Sequence, residues 1–237
     1  MELIPVVDLL GGAVVRGVQG NRQAYRPIES PLCGTSEPIA VAQVLVERAA
    51  ARRLYIADLD AIQARPAHVA VLRELLAELP AIELWLDAGF GSAASAERLL
   101  ESLAADAARV VAVFGSESLQ SRDELERCFG PAGAWRERAA LSLDRRGGTR
   151  LDPAGCWDVP ARWPSRVIVM TLERVGSGAG PDLDTVADVR RQAPAARLVG
   201  AGGVRSEADL ERAAAAGADA WLVASALHDL QLPSRRR

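Results

Sequence analysis

The chain repeats one pattern at corresponding points of its two halves. An apolar, strand-like run ends in an aspartate, and a Gly-Gly pair begins three residues later, in residues 6–12 (VVDLLGG) and again in residues 142–148 (SLDRRGG). A second pair of segments also corresponds. Residues 87–92 (DAGFGS) and residues 200–205 (GAGGVR) are each followed by a helix-like run of Ala, Glu, Arg and Leu. The repeats predict a fold built from two copies of one half-unit.

Strand-like and helical segments alternate along the whole chain. Hydrophobic residues make up 49% of it and aromatic residues only 4%, a composition typical of parallel strands covered by helices. Strands are predicted at residues 3–9, 53–58, 82–87, 109–114, 139–144, 166–172, 197–201 and 220–224, and amphipathic helices at 39–50, 68–79, 93–103, 182–192 and 206–216. Eight strands in 237 residues predict an α/β protein with a (β/α)8 TIM barrel, a two-fold half-barrel repeat and one domain spanning residues 1–237.

Charge and cysteine content limit the partners and the environment. The net charge of −3 argues against a nucleic-acid partner, and no apolar stretch is long enough to span a bilayer. The three cysteines are widely spaced without a Cys-x-x-Cys pair, which fits a reducing compartment and argues against disulfides or a zinc site. The first strand reaches Asp8 too early for a signal peptide. We therefore expect a cytoplasmic protein with no membrane segment, no metal and no cofactor.

Asp8 and Asp144 are the candidate catalytic residues. Each stands at the C-terminal end of a predicted strand, and in a (β/α)8 barrel this end carries the active site. The first and fifth strands of such a barrel lie opposite each other, so the two carboxylates are expected to converge across its mouth. One is expected to act as a base and the other as an acid, with pKa values separated by their environments. The alternative is that each aspartate caps a turn.

Glycine-containing loops follow several predicted strands and are candidate phosphate sites. Glycine exposes backbone N–H groups, and loops after the last two strands of this barrel type commonly hold phosphate. The first half offers the same arrangement after its third and fourth strands, so two phosphate sites are predicted. Alternatively, the glycines only suit tight turns. The predicted phosphate- and substrate-binding residues of these loops are Gly89, Gly91, Ser92, Gly115, Ser116, Gly178, Gly202, Gly203, Arg205, Ala224 and Ser225.

Three further side chains are candidates for substrate contact. Thr171, at the end of the sixth predicted strand, is either a donor to a substrate hydroxyl or simply a β-branched strand residue. Arg22 and Arg26 lie in the long irregular loop after the first strand. They are candidates to clamp an anionic substrate, and the alternative is that they are solvated loop charges.

The chain resembles the histidine-biosynthesis barrels of the HisA and HisF type over nearly its whole length. The matching segments are residues 4–9 (IPVVDL) with Gly12, 14–16 (VVR), 113–116 (VFGS), 141–144 (LSLD) and 201–206 (AGGVRS). HisA converts an aminoaldose into an aminoketose, an Amadori rearrangement. The resemblance implies that Asp8 is the base at the sugar C2, that Asp144 is the acid that opens the furanose ring, and that Thr171 assists. It also implies a substrate with two phosphates, held in the two glycine-loop sites.

Three departures separate the chain from the HisA pattern. The third-strand loop, usually Gly-Gly-Gly-Val-Arg, is residues 88–92 (AGFGS) and has no arginine. Val175 replaces an acidic residue after the sixth strand, and Ala224 replaces a glycine at the end of the eighth. Residues 20–22 (GNR) and 25–27 (YRP) instead resemble a HisA/HisF-related subgroup of archaea and methylotrophic bacteria, which is associated with tetrahydromethanopterin-type one-carbon metabolism.

The leading hypothesis is therefore an aldose–ketose isomerase acting on a phosphoribosyl compound, a small sugar phosphate. One alternative is the histidine-biosynthesis isomerase itself, against which the departures argue. Another is a barrel that binds a phosphorylated ligand, or docks a partner subunit, without catalysis, because a fold alone does not fix a function. The short segment after Ala226 predicts a truncated eighth helix, which raises the alternative of a homo-oligomer whose neighbouring chain covers that wall.

Overall fold

The central sheet of the protein is a closed barrel of parallel strands. The computed structural model describes residues 1–235, apart from the side chain of Arg22. In chain order the strands are β1 (Glu2–Leu10), β2 (Ala13–Val15), β3 (Arg53–Asp58), β4 (Glu83–Asp87), β5 (Val110–Gly115), β6 (Ala139–Arg146), β7 (Thr149–Arg150), β8 (Arg166–Thr171), β9 (Arg197–Ala201) and β10 (Ala220–Val223). The helices are α1 (Pro38–Ala49), α2 (Leu59–Ile62), α3 (Val69–Glu78), α4 (Ala93–Ser102), α5 (Arg122–Phe129), α6 (Leu183–Gln192), α7 (Glu207–Ala215) and α8 (Ser225–His228). Short 3₁₀ turns lie at Arg22–Ala24, Ala104–Arg109, Cys156–Asp158, Pro160–Arg162 and Leu172–Arg174.

The strand order confirms the predicted (β/α)8 barrel. Strands β1, β3, β4, β5, β6, β8, β9 and β10 follow one another around the barrel, and parallel pairing of β10 with β1 closes it. Each of the eight predicted strands overlaps one of these, with bounds that differ by at most two residues. Helix α5 is missing from the predictions because most of its residues are charged. Its buried residues Leu125, Cys128 and Phe129 nevertheless form an apolar stripe at helical spacing.

Both Gly-Gly pairs form two-residue hairpin turns. Strand β2 runs antiparallel to β1, and β7 runs antiparallel to β6, each joined by the two glycines. The φ angles are +59° and +81° at Gly11 and Gly12, and +56° and +79° at Gly147 and Gly148. Successive positive φ angles are typical of a type I′ turn, which glycine adopts without strain. The repeated motif therefore encodes the same hairpin after the first and fifth barrel strands.

Side chains of the barrel strands alternate between the barrel interior and the surrounding helices. On β1 this places Asp8 on the same face as Ile4, and on β6 it places Asp144 on the same face as Ala140. Ile4 and Ala140 belong to the apolar cluster inside the barrel, and a larger apolar cluster fills the layer between the strands and the helices. The alternation therefore directs both aspartates inward at the C-terminal end of the barrel.

Ion pairs join strands at the opposite, N-terminal end. The guanidinium of Arg53 lies 2.7 Å from a carboxylate oxygen of Glu2 and 2.8 Å from one of Glu83. Arg197 also pairs with Glu2. These four residues belong to β1, β3, β4 and β9. The network, here called the floor network, therefore spans the place where β10 and β1 close the barrel.

The last barrel helix is truncated, as the sequence predicts. Helix α8 has one turn, and the chain beyond it returns over the barrel wall. Leu232 is 1% exposed, its carbonyl accepts a hydrogen bond from Arg48, and Arg235 donates to the carbonyl of Met1. Among residues 1–235, Leu230 is the large hydrophobic residue that remains exposed. One exposed leucine does not define an interface, so a homo-oligomer stays a prediction. Within the same residues there is no helix with both the length and the apolar character needed to cross a membrane.

Candidate functional site

A cavity of about 310 Å³ opens at the C-terminal end of the barrel. Its walls are the inward-facing strand ends and the loops that follow β2, β3, β5, β8, β9 and β10. Asp8 and Asp144 both line it. The two carboxylates that the repeat places on opposite strands therefore share one cavity, of a size that suits a small ligand.

Asp144 is buried and held by hydrogen bonds. Ser142 Oγ donates to its Oδ1 at 2.6 Å, and the backbone N–H of Glu117 donates to its Oδ2 at 3.1 Å. The N–H of Asp144 itself donates to Ser116 Oγ at 2.8 Å. A Cβ on Gly115 would lie only 3.0 Å from Oδ2, so glycine leaves room for the carboxylate against β5. Gly115 and Ser116, predicted to bind phosphate, thus support Asp144.

The surroundings of Asp144 favour its protonated form. Burial raises the pKa of the Asp144 carboxyl well above its ordinary value, and the charges of Glu117 and Asp87 raise it further. The hydrogen bond from Ser142 lowers this pKa without offsetting the burial. A carboxyl that keeps its proton to higher pH can donate that proton in a reaction, which is the property required of a general acid.

Asp8 faces Asp144 from the other side of the barrel. Three barrel strands separate β1 from β6 in either direction around the sheet. Asp8 is partly exposed, and a Cβ on Gly17 would lie 3.0 Å from its Oδ2. Glycine at this position therefore lets the loop after β2 pass close to the carboxylate. The two carboxylates thus occupy unlike surroundings, one buried and one partly open to the cavity.

Tyr55 and Asp87 also line the cavity and are missing from the sequence-based predictions. The hydroxyl of Tyr55 is buried and donates to Asp87 Oδ2 at 3.1 Å. Burial, together with the charges of Asp87, Asp144 and Asp8, raises the pKa of the Tyr55 phenol well above its ordinary value, so this group stays a neutral donor. The alternation of side chains along β4 points Asp87 into the barrel at the C-terminal end of the strand, as it does for Asp8 and Asp144. This alternation is the sequence signal that identifies Asp87.

The loops of the second half expose their backbone to the cavity. Five predicted binding residues line it: Gly178, Gly202, Gly203, Ala224 and Ser225. Gly202 and Gly203 have φ angles of +81° and +79°, which favour glycine. The N–H groups of Gly203, Ser225 and Ala226 make no hydrogen bond to another protein group in the part of the chain that the structure describes. Unused N–H groups on such a concave backbone can bind an anion.

The corresponding loops of the first half are closed by protein groups. The predicted phosphate ligands of this half are absent from the cavity wall: Gly89, Gly91, Ser92, Gly115 and Ser116. A Cβ on Gly89 would lie 2.7 Å from the Cα of Ile62, and one on Gly91 would lie 2.9 Å from the side-chain amide of Gln120. Ser92 caps α4 by accepting a hydrogen bond from the N–H of Ser95. In this structure these five residues therefore serve in packing, in helix capping and in support of Asp144, away from the cavity wall.

Thr171 and Arg205 are also turned away from the cavity. Met170 lines the cavity, so strand alternation points the next side chain outward. Thr171 Oγ1 accordingly donates at 2.8 Å to Asp182, the N-cap residue of α6. Arg205 is exposed and its guanidinium pairs with Asp209 of α7 at 2.9 Å. Neither residue occupies the substrate-contacting position expected from the sequence.

The arginine at the cavity wall differs from those predicted. The side chain of Arg22 lies outside the described residues. Arg26 is exposed and donates to two carbonyl oxygens of its own loop, at 2.9 and 2.7 Å. Arg16 lines the cavity instead and forms a two-pronged ion pair with Asp229, at 3.0 and 2.7 Å. Arg16 belongs to the family-like segment 14–16 (VVR) and follows β2 directly, and this segment is the sequence signal that marks it.

A histidine–carboxylate cluster follows β3, where the sequence predicts no metal-binding group. The potential ligand atoms of Asp58, Asp60 and His68 lie within 4.8 Å of one another. The two ring nitrogens of His68 lie 3.0 Å from Asp58 and 3.0 Å from Asp60. Asp60 also accepts a hydrogen bond from the N–H of Gly11 at 2.7 Å. These bonds tie the end of β3 to the β1–β2 hairpin, which is a structural role.

The chain is similar to known proteins along nearly its whole length. The model of the family described as "Histidine biosynthesis protein" matches residues 2–233. An uncharacterized protein of Methanocaldococcus jannaschii is 30% identical over 233 residues, covering 96% of this chain and 93% of that protein. The 1-(5-phosphoribosyl)-5-((5-phosphoribosylamino)methylideneamino)imidazole-4-carboxamide isomerase of Thermus thermophilus is 30% identical over 243 residues, covering 97% and 95%. The isomerase of the same name from Halothermothrix orenii is 27% identical, covering 98% and 97%.

Proposed function

Because this chain belongs to the histidine biosynthesis protein family, we propose that it is an aldose–ketose isomerase that acts on a phosphoribosyl compound. The observation that carries the proposal is the pair of aspartates on opposite strands of one cavity. Asp144 is buried with a raised pKa, and Asp8 is partly exposed. The relatives from Thermus thermophilus and Halothermothrix orenii are named as isomerases of a phosphoribosyl compound, which supports the same chemistry for this chain.

The proposed reaction moves protons and changes no net oxidation state. Asp144 gives its proton to the furanose ring oxygen as the bond from that oxygen to C1 breaks, and the lone pair of the amino nitrogen on C1 forms a C=N bond. Asp8 then removes the proton from C2, and the electrons of that C–H bond form the C1=C2 bond of an enaminol as the C=N electrons return to nitrogen. C1 then takes up a proton while the C2 hydroxyl gives up its own, which leaves the carbonyl at C2, the aminoketose. A general acid and a general base positioned in this way each contribute about 10²- to 10⁴-fold to a rate.

The proposal is tested with Asp8→Asn and Asp144→Asn variants. A thermal-shift screen of phosphoribosyl compounds first identifies a ligand, because a compound that binds only the folded state raises the melting temperature. Conversion of that compound to its ketose is then measured. We expect each variant to lose about 10²- to 10⁴-fold in kcat while still binding the ligand. Asp188→Asn, on the exposed face of α6, is the matched control. Wild-type turnover in both site variants would remove the assignment.

The named relatives favour a second candidate, the histidine-biosynthesis isomerase itself. The closed loops around Gly91 and Ser92 weigh against it, because these loops would have to hold one of the two phosphates of that substrate. We expect the chain not to restore growth without histidine in a strain that lacks the isomerase. Growth at the rate given by a HisA control would establish the histidine function instead.

For the metabolic setting, tetrahydromethanopterin-linked one-carbon metabolism is the proposal. The support is the likeness of residues 20–22 and 25–27 to the archaeal and methylotroph subgroup, together with the similarity to the Methanocaldococcus jannaschii protein. Deletion of the gene in its own host is expected to lower the tetrahydromethanopterin-type cofactor and spare histidine synthesis. Unchanged cofactor levels in the deletion strain would contradict this setting and leave the isomerase proposal intact.

A barrel without catalysis is the remaining candidate. Co-purification of a stoichiometric partner, with no turnover of any sugar phosphate by the complex, would favour it over the isomerase. The retained pair of Asp8 and Asp144 in unlike surroundings weighs against it, since a binding-only barrel has no need of a buried carboxyl whose pKa is raised.

A further inference from the structure

The two halves of the barrel treat equivalent backbone N–H groups differently. After β10, the N–H groups of Ser225 and Ala226 make no hydrogen bond to another protein group in residues 1–235. Their counterparts after β5 are both engaged. The N–H of Ser116 donates to the carbonyl of Ser142 at 2.8 Å, and that of Glu117 donates to Asp144 Oδ2 at 3.1 Å. The carboxylate of Asp144 therefore accepts from the N–H of Glu117, whereas the equivalent N–H of the second half, that of Ala226, remains open.

A second carboxylate closes the start of helix α4. Glu124 on α5 accepts a hydrogen bond from the N–H of Ala93 through Oε2, at 3.2 Å, and its other oxygen pairs with Arg127. The Glu124 side chain is only 14% exposed. Beside it, Gln120 lies against the backbone of Gly91. An incoming phosphate would meet the Glu124 carboxylate and the Gln120 side chain at the place where the sequence repeat predicts a phosphate site.

The cavity wall on this side is itself acidic. Asp87 and Glu117 line it in addition to the catalytic pair Asp8 and Asp144. The negative charge of carboxylates in this wall disfavours an anion. An uncharged or cationic group is suited to this side, and the open backbone of Gly203 and Ser225 suits an anion on the other.

We infer that the barrel takes a phosphoribosyl ligand with a single phosphate, held by the loops after β9 and β10, and that Glu124 excludes a second phosphate from the first half. The inference rests on the proposed function for the sugar part of the ligand. Carboxylates of the protein accept from the backbone N–H groups of the first half, and this occupation determines the specificity for one phosphate. The end of the ligand remote from the phosphate is uncharged or cationic.

Counting bound inorganic phosphate tests the inference without any turnover. Urea unfolding is measured between about 0.1 and 50 mM phosphate at constant ionic strength. In units of RT, the slope of the unfolding free energy against the natural logarithm of phosphate concentration approaches the number of bound ions. The wild type is expected to approach a slope of one ion. Ser225→Glu, which places a carboxylate at the open donors, is expected to abolish this slope. Gln192→Glu, with the same charge change at the exposed far end of α6, is expected to keep it and corrects for general salt effects.

A wild-type slope of zero or of two ions would overturn the inference, and so would a slope of one that survives Ser225→Glu. If Ser225→Glu fails to fold by circular dichroism, Ala224→Asp makes the same test one residue earlier. The outcome is separable from the isomerase assay. One phosphate without any isomerase activity would remove the proposed function and keep the single site. Isomerase activity with two bound phosphates would do the reverse.

Discussion

Asp144 combines two properties that oppose each other. Burial keeps a proton on its carboxyl to higher pH, which suits a general acid, and the same burial makes the charged form costly to the folded state. Ser142 and Glu117 reduce that cost through hydrogen bonds without removing it. The residue that best fits the chemistry is therefore expected to lower the stability of the fold at neutral and alkaline pH.

The Asp144→Asn variant should consequently be more stable than the wild type at pH 8, by about 1–3 kcal/mol. Because the pKa of Asp144 is raised in the folded state, that state binds the proton more tightly, and wild-type stability falls as pH rises from the ordinary aspartate pKa through the raised one. The difference between the two proteins should shrink towards pH 4. Urea unfolding at both pH values measures it, with Asp188→Asn as the exposed control. A wild type that is the more stable at pH 8 would contradict the prediction.

Tyr55 and Asp87 are expected to be energetically coupled. Removing the phenol hydroxyl with Tyr55→Phe takes a donor from a carboxylate in a low-exposure site, which should cost about 1–2 kcal/mol of unfolding free energy. A double-mutant cycle with Asp87→Asn should give an interaction energy above about 0.5 kcal/mol. Simple additivity of the two substitutions in urea unfolding would show that the hydrogen bond is not formed in solution.

The sequence locates the two catalytic candidates but not their surroundings. Asp8 and Asp144 stand out because a repeated motif marks both strand ends. The bond between Tyr55 and Asp87 joins residues 32 positions apart on neighbouring strands, and no local pattern records it. For Thr171 the sequence pattern is present but the predicted contact is not. Its position in the chain matches the family pattern, yet side-chain alternation along β8 turns its hydroxyl away from the cavity and towards Asp182.

At the level of loops and helices, a glycine permits close approach without specifying what approaches. Gly115 makes room for the Asp144 carboxylate, and Gly89 for the backbone of Ile62. Gly203 leaves its N–H group open to the cavity while its Cα lies against the loop after β8. The same residue type in equivalent loops thus has different roles. For this reason the sequence predicts two phosphate sites, and the structure leaves one loop pair open.

Two glycines of nearly equal φ allow a controlled test of this packing. Gly203 has φ +79°, and an added Cβ would lie 2.1 Å from the carbonyl oxygen of Gly180. Gly12 has φ +81°, and an added Cβ would meet nothing within 4 Å. Gly12→Ala should therefore cost only the backbone strain, about 1 kcal/mol. Gly203→Ala should cost about 2–4 kcal/mol because the loops after β8 and β9 must also separate. Thermal or urea unfolding compares the two, and equal losses would refute the packing argument.

At the scale of the whole barrel, the fold is predictable from the sequence because its signal is periodic. Eight aliphatic runs alternate with amphipathic helices, and all eight strands are found within two residues of their predicted bounds. The floor network is not predictable in the same way. Glu2, Arg53 and Arg197 are far apart in the chain. Arg53 reaches Glu2 through the pairing of β1 with β3, and Arg197 reaches it only when β10 pairs with β1.

The floor network is expected to stabilise the barrel. Arg53→Met should lower the free energy of unfolding at pH 7 by about 1–2 kcal/mol, since Glu2 and Glu83 lose a partly buried cation. Burial raises the pKa of Glu83, but hydrogen bonds from Trp85 and Arg53 outweigh it and the net pKa is lowered. A lowered carboxyl pKa gives stability that is lost as pH falls through it.

The difference in unfolding free energy between the wild type and Arg53→Met should accordingly become smaller below about pH 4, near the ordinary glutamate pKa. Arg191→Met removes an exposed pair on α6 and should change the unfolding free energy by less than about 0.5 kcal/mol. A gap that is constant from pH 7 to pH 3 in urea unfolding would show that Arg53 stabilises the barrel by packing alone.

The contact between Arg235 and Met1 has a consequence for the order of the chain. It brings Met1 and Arg235 together at the N-terminal face of the barrel, remote from the cavity that Asp8 and Asp144 line. A short peptide could join these two residues, and new termini could be opened at the exposed Pro131 and Ala132, between α5 and β6. The result would be a circular permutant in which the half bearing Asp144 is synthesised first. Folding of that permutant would show that neither half depends on preceding the other on the ribosome.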